Sequence, residues 1–455
     1  GLTRIVVEWD RIAFSATGTI QEQRHQLEQR LAELPELMVV DAHGQSVPFR
    51  LIDQQVAFHY DLPKDRFRDP FQAIELTIEL NVVNMPAFAW RTLALQPATQ
   101  TLVPNATVKA QPRLISNEWL KIGVEDDGSL TITNRETNKT YHQMLVFEDT
   151  GDMGNEYIYR QTADKRAYYS TDFPMEVRVV HADELGSELE LINYLEVPTS
   201  ADEQLAKETH AIVDITQRTA QRSTQKVPLT ITTKIRLNPN SRQIQFESHV
   251  NNQAKDHRLR VLFKTALTAE THVADSIYET VTRANRPAKN WQNPTNPQHQ
   301  QAFACVFNEA NGVTVGNLGL NEYEILPADN TIALTMLRCV GEMGDWGYFA
   351  TPEAQCQGAF TFNYSLELTD GSEAQRIATL ATPEFAVTSL KRANNSTGLT
   401  VRGYNLSDRQ VPLKVTTSLS KQAVNFFEEE LPEVTTDTLM PMEIKTLLLT
   451  EAGRA

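Results

Sequence analysis

From residue 114 onward the chain is a succession of short segments in which apolar and polar residues alternate, among them residues 120–124, 189–197, 229–237, 244–250 and 259–266. A period of two sends successive side chains to opposite faces of a strand, so each segment can bury one face and wet the other. No regular βαβ alternation separates them, and parallel strands need such crossovers. A mainly β fold follows, with one large antiparallel sandwich as its main body.

The preceding hundred residues read as a smaller β domain with one helix. Ile20, Leu27, Leu31 and Leu34 recur at near-helical spacing until Pro35 ends the pattern, which predicts a packing helix over 19–34. Residues 75–83 read as a strand, Pro86 breaks it, and 90–95 resumes it as an edge hairpin. Three prolines with polar spacers make 96–112 a linker. The expected domains are therefore 1–105, a small β domain; 106–382, the large sandwich; and 383–455, a small C-terminal β-sandwich built around 400–405 and 443–449. Two polar segments interrupt the large domain. Residues 200–226, with Ile212, Val213 and Ile215 among polar neighbours, read as a long hairpin or excursion, and 283–301, rich in Asn, Pro and Gln around Trp291, as a surface loop. Trp291 could stack on a sugar face, but anchoring the loop is the commoner role for such a residue.

Composition narrows the function. A chain of 455 residues exceeds one core, and 41% hydrophobic with 22% charged residues is ordinary for a globular protein. The net charge of −16 argues against nucleic acid and anionic lipid as partners, because both require clustered Lys and Arg. A neutral substrate suits it better, and no apolar run is long enough to cross a bilayer. Cys305, Cys339 and Cys356 are odd in number and form no C-x-x-C pair, which speaks against a disulfide framework or thiolate metal site and for a reducing, cytoplasmic setting. No two of the ten histidines lie three to five apart, so no helical ligand pair exists. The glycines of GVTVGNLG lack the dinucleotide spacing, and no G-x-S-x-G elbow occurs. Carboxylate pairs such as Asp149 and Asp152, or the run Glu428 to Glu430, could in principle serve a glycosidase, but their separation is not written in the sequence.

The segment FEDTGDMGNEYIYR, from Phe147 to Arg160, is the candidate ligand site. Glu148, Asp149, Asp152 and Glu156 alternate there with Gly151, Gly154, Tyr157 and Tyr159. Glycines allow backbone angles that other residues resist, and acids with tyrosines offer hydrogen-bonding partners to a polyhydroxylated ligand. Taken alone, the segment also fits a solvated acidic turn.

Its surroundings carry a family pattern. NEWLKI at 117–122, DGSL at 127–130 and NRET at 134–137 precede the acidic segment; NGVTV at 311–315, GLNEYE at 319–324, LTMLRCVG at 334–341, PEAQ at 352–355 and LTVRGYN at 399–405 follow it. In this order they resemble the C-terminal, β-rich part of a glycoside hydrolase family 38 α-mannosidase. The resemblance implies a large supersandwich like that of galactose mutarotase, and a parent enzyme that is retaining and zinc-dependent. It also implies that the zinc and the aspartate nucleophile belong to an N-terminal catalytic domain against which this portion packs, helping to close the site around an α-mannoside or oligosaccharide. By the same resemblance Tyr157 matches a tyrosine that hydrogen-bonds a mannose hydroxyl, with Tyr159 two residues away as the competing register. Asp149, Asp152 and Glu156 would shape the loop. Arg338 is a weaker candidate for a cation facing substrate, and a buried ion pair is the other reading of an arginine in an apolar strand.

No convincing copy of the family's His-x-Asp pair or nucleophile is present. His59-Tyr60-Asp61 and His181-Ala182-Asp183 have the bare pattern, each ending a strand-like run, and read as surface turns. No metal or catalytic residue is therefore expected in this segment. The chain opens on a strand-like run without an initiating methionine and reads as a piece of a longer polypeptide, inactive by itself; homo-oligomerisation stays open. Two other classes compete. A noncatalytic carbohydrate-binding or scaffold module would need an exposed aromatic platform, whereas Trp9, Trp90, Trp119, Trp291 and Trp346 are isolated from one another. A mutarotase-like enzyme would need a His and a Glu facing one sugar, and no such motif is evident.

Overall fold

The computed structural model describes residues 2–14, 18–82, 91–98, 109–277, 279–290, 296–344, 347–378, 386–394, 397–405, 407, 409–413, 415, 417, 419–432, 434 and 436–451. The fold is mainly β, and every strand pair of described register is antiparallel. Contacts divide it into two units, Gly1–Lys109 with His181–Ser187, and Ala110–Val180 with Glu188–Ala455.

In the first unit Asp69–Asn81 lies between Leu2–Ala13 and Phe49–Asp61 in a three-stranded sheet. The predicted helix forms over Ile20–Ala32. Thr19 caps it by accepting from the Glu22 amide, and the Glu22 carboxylate accepts the Thr19 amide in return, so two otherwise orphaned donors are satisfied. Leu27 is its buried anchor, against Ile74, Leu76, Ile78 and Leu80. Pro86, Trp90 and most of the expected linker lie outside the described residues. The two His-x-Asp patterns do close strands, Phe49–Asp61 and Met175–Asp183. Their side chains are engaged elsewhere: His59 pairs with Glu75 at 2.8 Å, Asp61 with Arg11 at 3.1 Å and Asp183 with Arg50 at 2.6 Å.

The second unit is built on two large sheets. One runs in the order Gln298–His299, Glu322–Leu326, Thr331–Cys339, His257–Phe263, Lys139–Gly151, Leu130–Asn134, Leu120–Val124, Leu114–Ser116 and Lys109–Gln111, with Ala167–Tyr169 also paired to Lys139–Gly151. The other runs Met175–Asp183, Gly186–Pro198, Lys226–Leu237, Gln243–Asn252, Gly358–Asp370, Asn311–Leu318, Phe303–Phe307, Thr271–Ser276 and Glu279–Ala284. Alternate residues of both meet in one core, with Leu120, Ile122 and Phe263 from the first packed together with Leu229, Ile235 and Phe246 from the second. This is the sandwich that the period of two predicts. A four-stranded sheet, Ala386–Arg392, Leu399–Tyr404, Ile444–Thr450 and Ser420–Val424, closes the chain around its own core of Val401, Leu447 and Leu449.

The excursion expected at 200–226 is present, closed at its base by an antiparallel bridge between Ala201 and Arg222, and it holds an element not expected there. The excursion at 200–226 contains an α-helix, Glu203–His210, whose N-cap Asp202 accepts from the Gln204 amide. Trp291 lies outside the described residues.

Candidate loop site

Strand Lys139–Gly151 runs beside His257–Phe263, and beyond Gly151 the chain leaves the sheet as the loop 152–160. The loop leaves the sheet under heavy restraint. The Asp152 amide donates to the Asp256 carbonyl at 2.8 Å, Met153 to the Arg160 carbonyl at 2.7 Å and Glu156 to the Glu342 carbonyl at 3.2 Å. Inside the loop, one oxygen of Asp152 accepts the amides of Gly154 and Arg160, while Asn155 Oδ1 accepts those of Tyr157 and Ile158. Backbone groups that a free loop would leave to water are thus satisfied by side chains of the loop itself.

The acids do not form a solvated turn. Glu148, Asp149 and Asp152 are buried, and Glu156 alone of the four is exposed. Each buried acid has its own arginine, which is what makes its burial tolerable. Glu148 pairs with Arg260 at 2.5 Å, and Arg260 also holds Glu324 at 2.7 Å. Asp149 lies between Arg222 and His257 at 2.5 Å each. The other ring nitrogen of His257 meets Asn252 Oδ1 at 3.1 Å. Burial works to raise the Asp149 pKa, but His257 and Arg222 outweigh it and hold the carboxyl below its ordinary value. Asp152 takes Arg338 Nε at 3.0 Å on its second oxygen. There burial wins, and the Asp152 pKa is raised against the pull of Arg338 and the backbone amides.

Arg338 is therefore committed to the loop. Its remaining nitrogens donate to the carbonyls of Glu156, at 3.0 Å, and Asn155. Of the two readings of Arg338, the ion pair is the one the structure holds. Asp149 and Asp152 likewise reach no solvent through their carboxylates; Asp152 anchors the loop through the Gly154 and Arg160 amides, whereas Asp149 binds Arg222 and His257, which lie outside it. Arg218 adds a second clamp by donating to the Met153 carbonyl at 2.7 Å and pairing with Glu342 at 2.5 Å.

The glycines serve close approach, not unusual backbone angles. Neither Gly151 nor Gly154 has a positive φ, but a Cβ on Gly154 would lie 2.0 Å from the Ile158 carbonyl oxygen and one on Gly151 would lie 2.5 Å from Thr162 Oγ1. The two tyrosines divide sharply. Tyr159 is 3% exposed, its hydroxyl donates to Thr150 Oγ1 at 3.0 Å, and the Arg258 guanidinium lies over its ring at 3.4 Å. Tyr157 is 67% exposed. What the loop presents to solvent is thus Glu156, Tyr157 and Ile158 on a rigid mount. Among the described residues, no group of three His, Cys, Asp or Glu is gathered as a metal ion would require. No helix among them is long and apolar enough to cross a membrane.

The described residues are β-rich and antiparallel throughout, and the family comparison is direct. Residues 1–97 match the model of the glycosyl hydrolases family 38 C-terminal domain 1, residues 115–342 that of the family 38 C-terminal domain, and residues 384–447 that of the family 38 C-terminal beta sandwich domain. The chain belongs to glycoside hydrolase family 38, as a C-terminal portion.

Among particular relatives, the crystal structure of an alpha-mannosidase from Enterococcus faecalis is 39% identical over 99% of this chain, with a TM-score of 0.87. A second Enterococcus faecalis structure, of a protein in glycosyl hydrolase family 38, is 38% identical over 99% of the chain at a TM-score of 0.85. A putative mannosylglycerate hydrolase from Halalkalibacterium halodurans is 36% identical over 321 residues, or 69% of this chain. The chain spans 54% and 56% of the two solved proteins and 35% of the third.

Proposed function

We propose that this chain is the C-terminal portion of a retaining, zinc-dependent α-mannosidase acting on α-mannosides, and that it supports and partly lines an active site whose catalytic groups lie outside these residues. The observation that carries the reading is the likeness over 99% of the chain to an alpha-mannosidase of which it spans 54%. In this reading zinc is held by the N-terminal domain and helps to bind the sugar there. This chain contributes the loop 152–160, with Tyr157 offering its hydroxyl to a sugar hydroxyl and Glu156 beside it. Asp152 and Arg338 keep the loop's backbone fixed, with Asp149 buried in the strand that leads into it, so that little ordering remains to be done when a sugar arrives. The free thiols of Cys305, Cys339 and Cys356 support a reducing, cytoplasmic setting for the parent protein.

The likeness to a putative mannosylglycerate hydrolase favours a second substrate reading, a mannoside carrying glycerate. A turnover assay with an aryl α-mannoside and with a glycerate-linked mannoside, alongside metal analysis, tests both. The longer protein is expected to turn over at least one of them with bound zinc, and the 455-residue chain neither. Enzyme-like turnover by the 455-residue chain would overturn the division of labour proposed here.

A further inference from the structure

Behind the loop, two cysteines that the mannosidase reading does not use have been brought together. Cys339 ends strand Thr331–Cys339, directly after Arg338, and is fully buried; Cys356 is half-buried. The chain returns antiparallel to its own strand end, with Val340 N donating to the Ala354 carbonyl at 3.2 Å and Thr351 N to the Gly341 carbonyl at 3.0 Å. That return sets the Cys356 thiol 3.9 Å from the carbonyl oxygen of Arg338, the residue before Cys339. The side-chain amide of Asn252 joins both positions, lying 3.5 Å from Cys339 Sγ and 2.9 Å from the Cys356 carbonyl oxygen.

Cys356 also has a costly backbone. It closes the short helix Pro352–Gln355 in the left-handed conformation, with φ 47° and ψ 46°. Glycine or asparagine usually takes such a position, because a Cβ there crowds the carbonyl. A glycine would fit the turn better but would leave no thiol against Cys339.

We propose that Cys339 and Cys356 are an oxidisable dithiol, a site at which a small-molecule disulfide of the glutathione class converts the two thiols into an internal disulfide. Cys356, the accessible member, attacks as thiolate: a bond forms between its sulfur and one sulfur of the oxidant, the oxidant's own S–S bond breaks, and one small thiolate leaves. The Cys339 sulfur then attacks Cys356 in this mixed disulfide, the S–S bond between the two protein residues forms, and the second small thiolate leaves. The departing thiolates take up the protons, so two protein thiols are oxidised while one small disulfide is reduced to two thiols. The electrostatics favour this order. Hydrogen bonding from Cys339, against the cost of burial, draws the Cys356 thiol down to about 7, and the same contact pushes Cys339 up. Cys305 is buried, and burial pushes its thiol up to about 11, which leaves it the unreactive control.

The test is to incubate the whole 455-residue chain with oxidised glutathione, then measure intact mass, free thiols and cross-linked peptides. Two of the three thiols should be lost as a pair, with the peptides carrying Cys339 and Cys356 joined and no glutathione retained. Cys339→Ala should instead hold glutathione on Cys356, and Cys356→Ser should stay reduced, both with wild-type circular dichroism. Glutathione retained on wild-type Cys356 without a cross-link would overturn the proposal, as would a cross-link through Cys305 or no reaction at all.

Discussion

Replacing Arg338 by methionine tests whether the candidate loop is held as the geometry says. The change removes three donations: to Asp152 Oδ2 at 3.0 Å, to the Glu156 carbonyl at 3.0 Å and to the Asn155 carbonyl. Breaking a fully buried ion pair costs about 3–5 kcal/mol, mostly because one charge is left uncompensated. Two features lower that figure here. The Arg338 side chain is 15% exposed, although Asp152 is at 0%, and Asp152 keeps the Gly154 and Arg160 amides. A loss of about 2–3 kcal/mol at neutral pH is therefore expected. It should depend on pH in a fixed sense. Burial already raises the Asp152 pKa above 3.8, and removing Arg338 raises it further. An acid with a raised folded pKa costs stability above that pKa, and the cost disappears as pH falls through it toward 3.8. Arg338→Met should thus lose on acidification the part of its deficit that comes from the Asp152 charge, the part from the two carbonyl donations remaining at every pH. Asp152→Asn combined with Arg338→Met should lose less than the two single variants summed. Urea unfolding, with hydrogen exchange at the Gly154 and Arg160 amides as the local probe, gives the measurement. A pH-independent deficit under about 0.5 kcal/mol would refute the clamp.

The other expectations concern neighbours of that clamp. Tyr157→Phe should leave stability within about 0.5 kcal/mol of wild type, and in the longer protein should lower kcat/KM roughly tenfold to a hundredfold, the worth of one polar contact to the sugar. Tyr159→Phe should instead cost about 1 kcal/mol or more of stability, measured by urea unfolding, because it strips a buried hydrogen bond from Thr150. Gly154→Ala must displace the Ile158 carbonyl that its Cβ would meet, so a loss of about 1–3 kcal/mol or more is expected, with faster exchange across 152–160. Asp149 has its folded pKa below 3.8, so its contribution is present above pH 3.8 and is lost as pH falls below that value through the folded pKa. Asp149→Asn, which leaves Arg222 and His257 buried without their acid, should be destabilised at neutral pH and should show less further loss on acidification below pH 3.8, followed by thermal unfolding.

Strand patterning was the most legible part of this chain, because a period of two is a local property. The predicted helix was equally legible: Thr19 and Glu22 stand at capping-box spacing, and Pro35 lies three residues beyond the observed end at Ala32. The helix Glu203–His210 went unread although its signal was present, an aspartate at the N-cap position followed by good helix formers. Ile212, Val213 and Ile215, the apolar residues that suggest a strand there, lie after the helix ends.

The segment 147–160 stands out in the sequence, but the partners of its acids do not, for a reason that lies in sequence distance. Asp149 meets Arg222 from 73 residues away, Glu148 meets Arg260 from 112 and Asp152 meets Arg338 from 186. Nothing within a strand-length window reveals that an acid will find a base so far along the chain, so exposure is the default reading for each acid taken alone. The clearest case is His257–Phe263, with the sequence HRLRVLF. Its first four residues look like a strand with one wet face, yet all seven are buried. The strand lies between Lys139–Gly151, which brings Glu148 and Asp149, and Thr331–Cys339, and Glu324 reaches Arg260 from the next strand. A polar face can be buried when its complement is built into neighbouring strands. Binary patterning sees polarity but not complementarity. That is why it placed the sandwich correctly and could not tell the buried Glu148, Asp149 and Asp152 from the exposed Glu156.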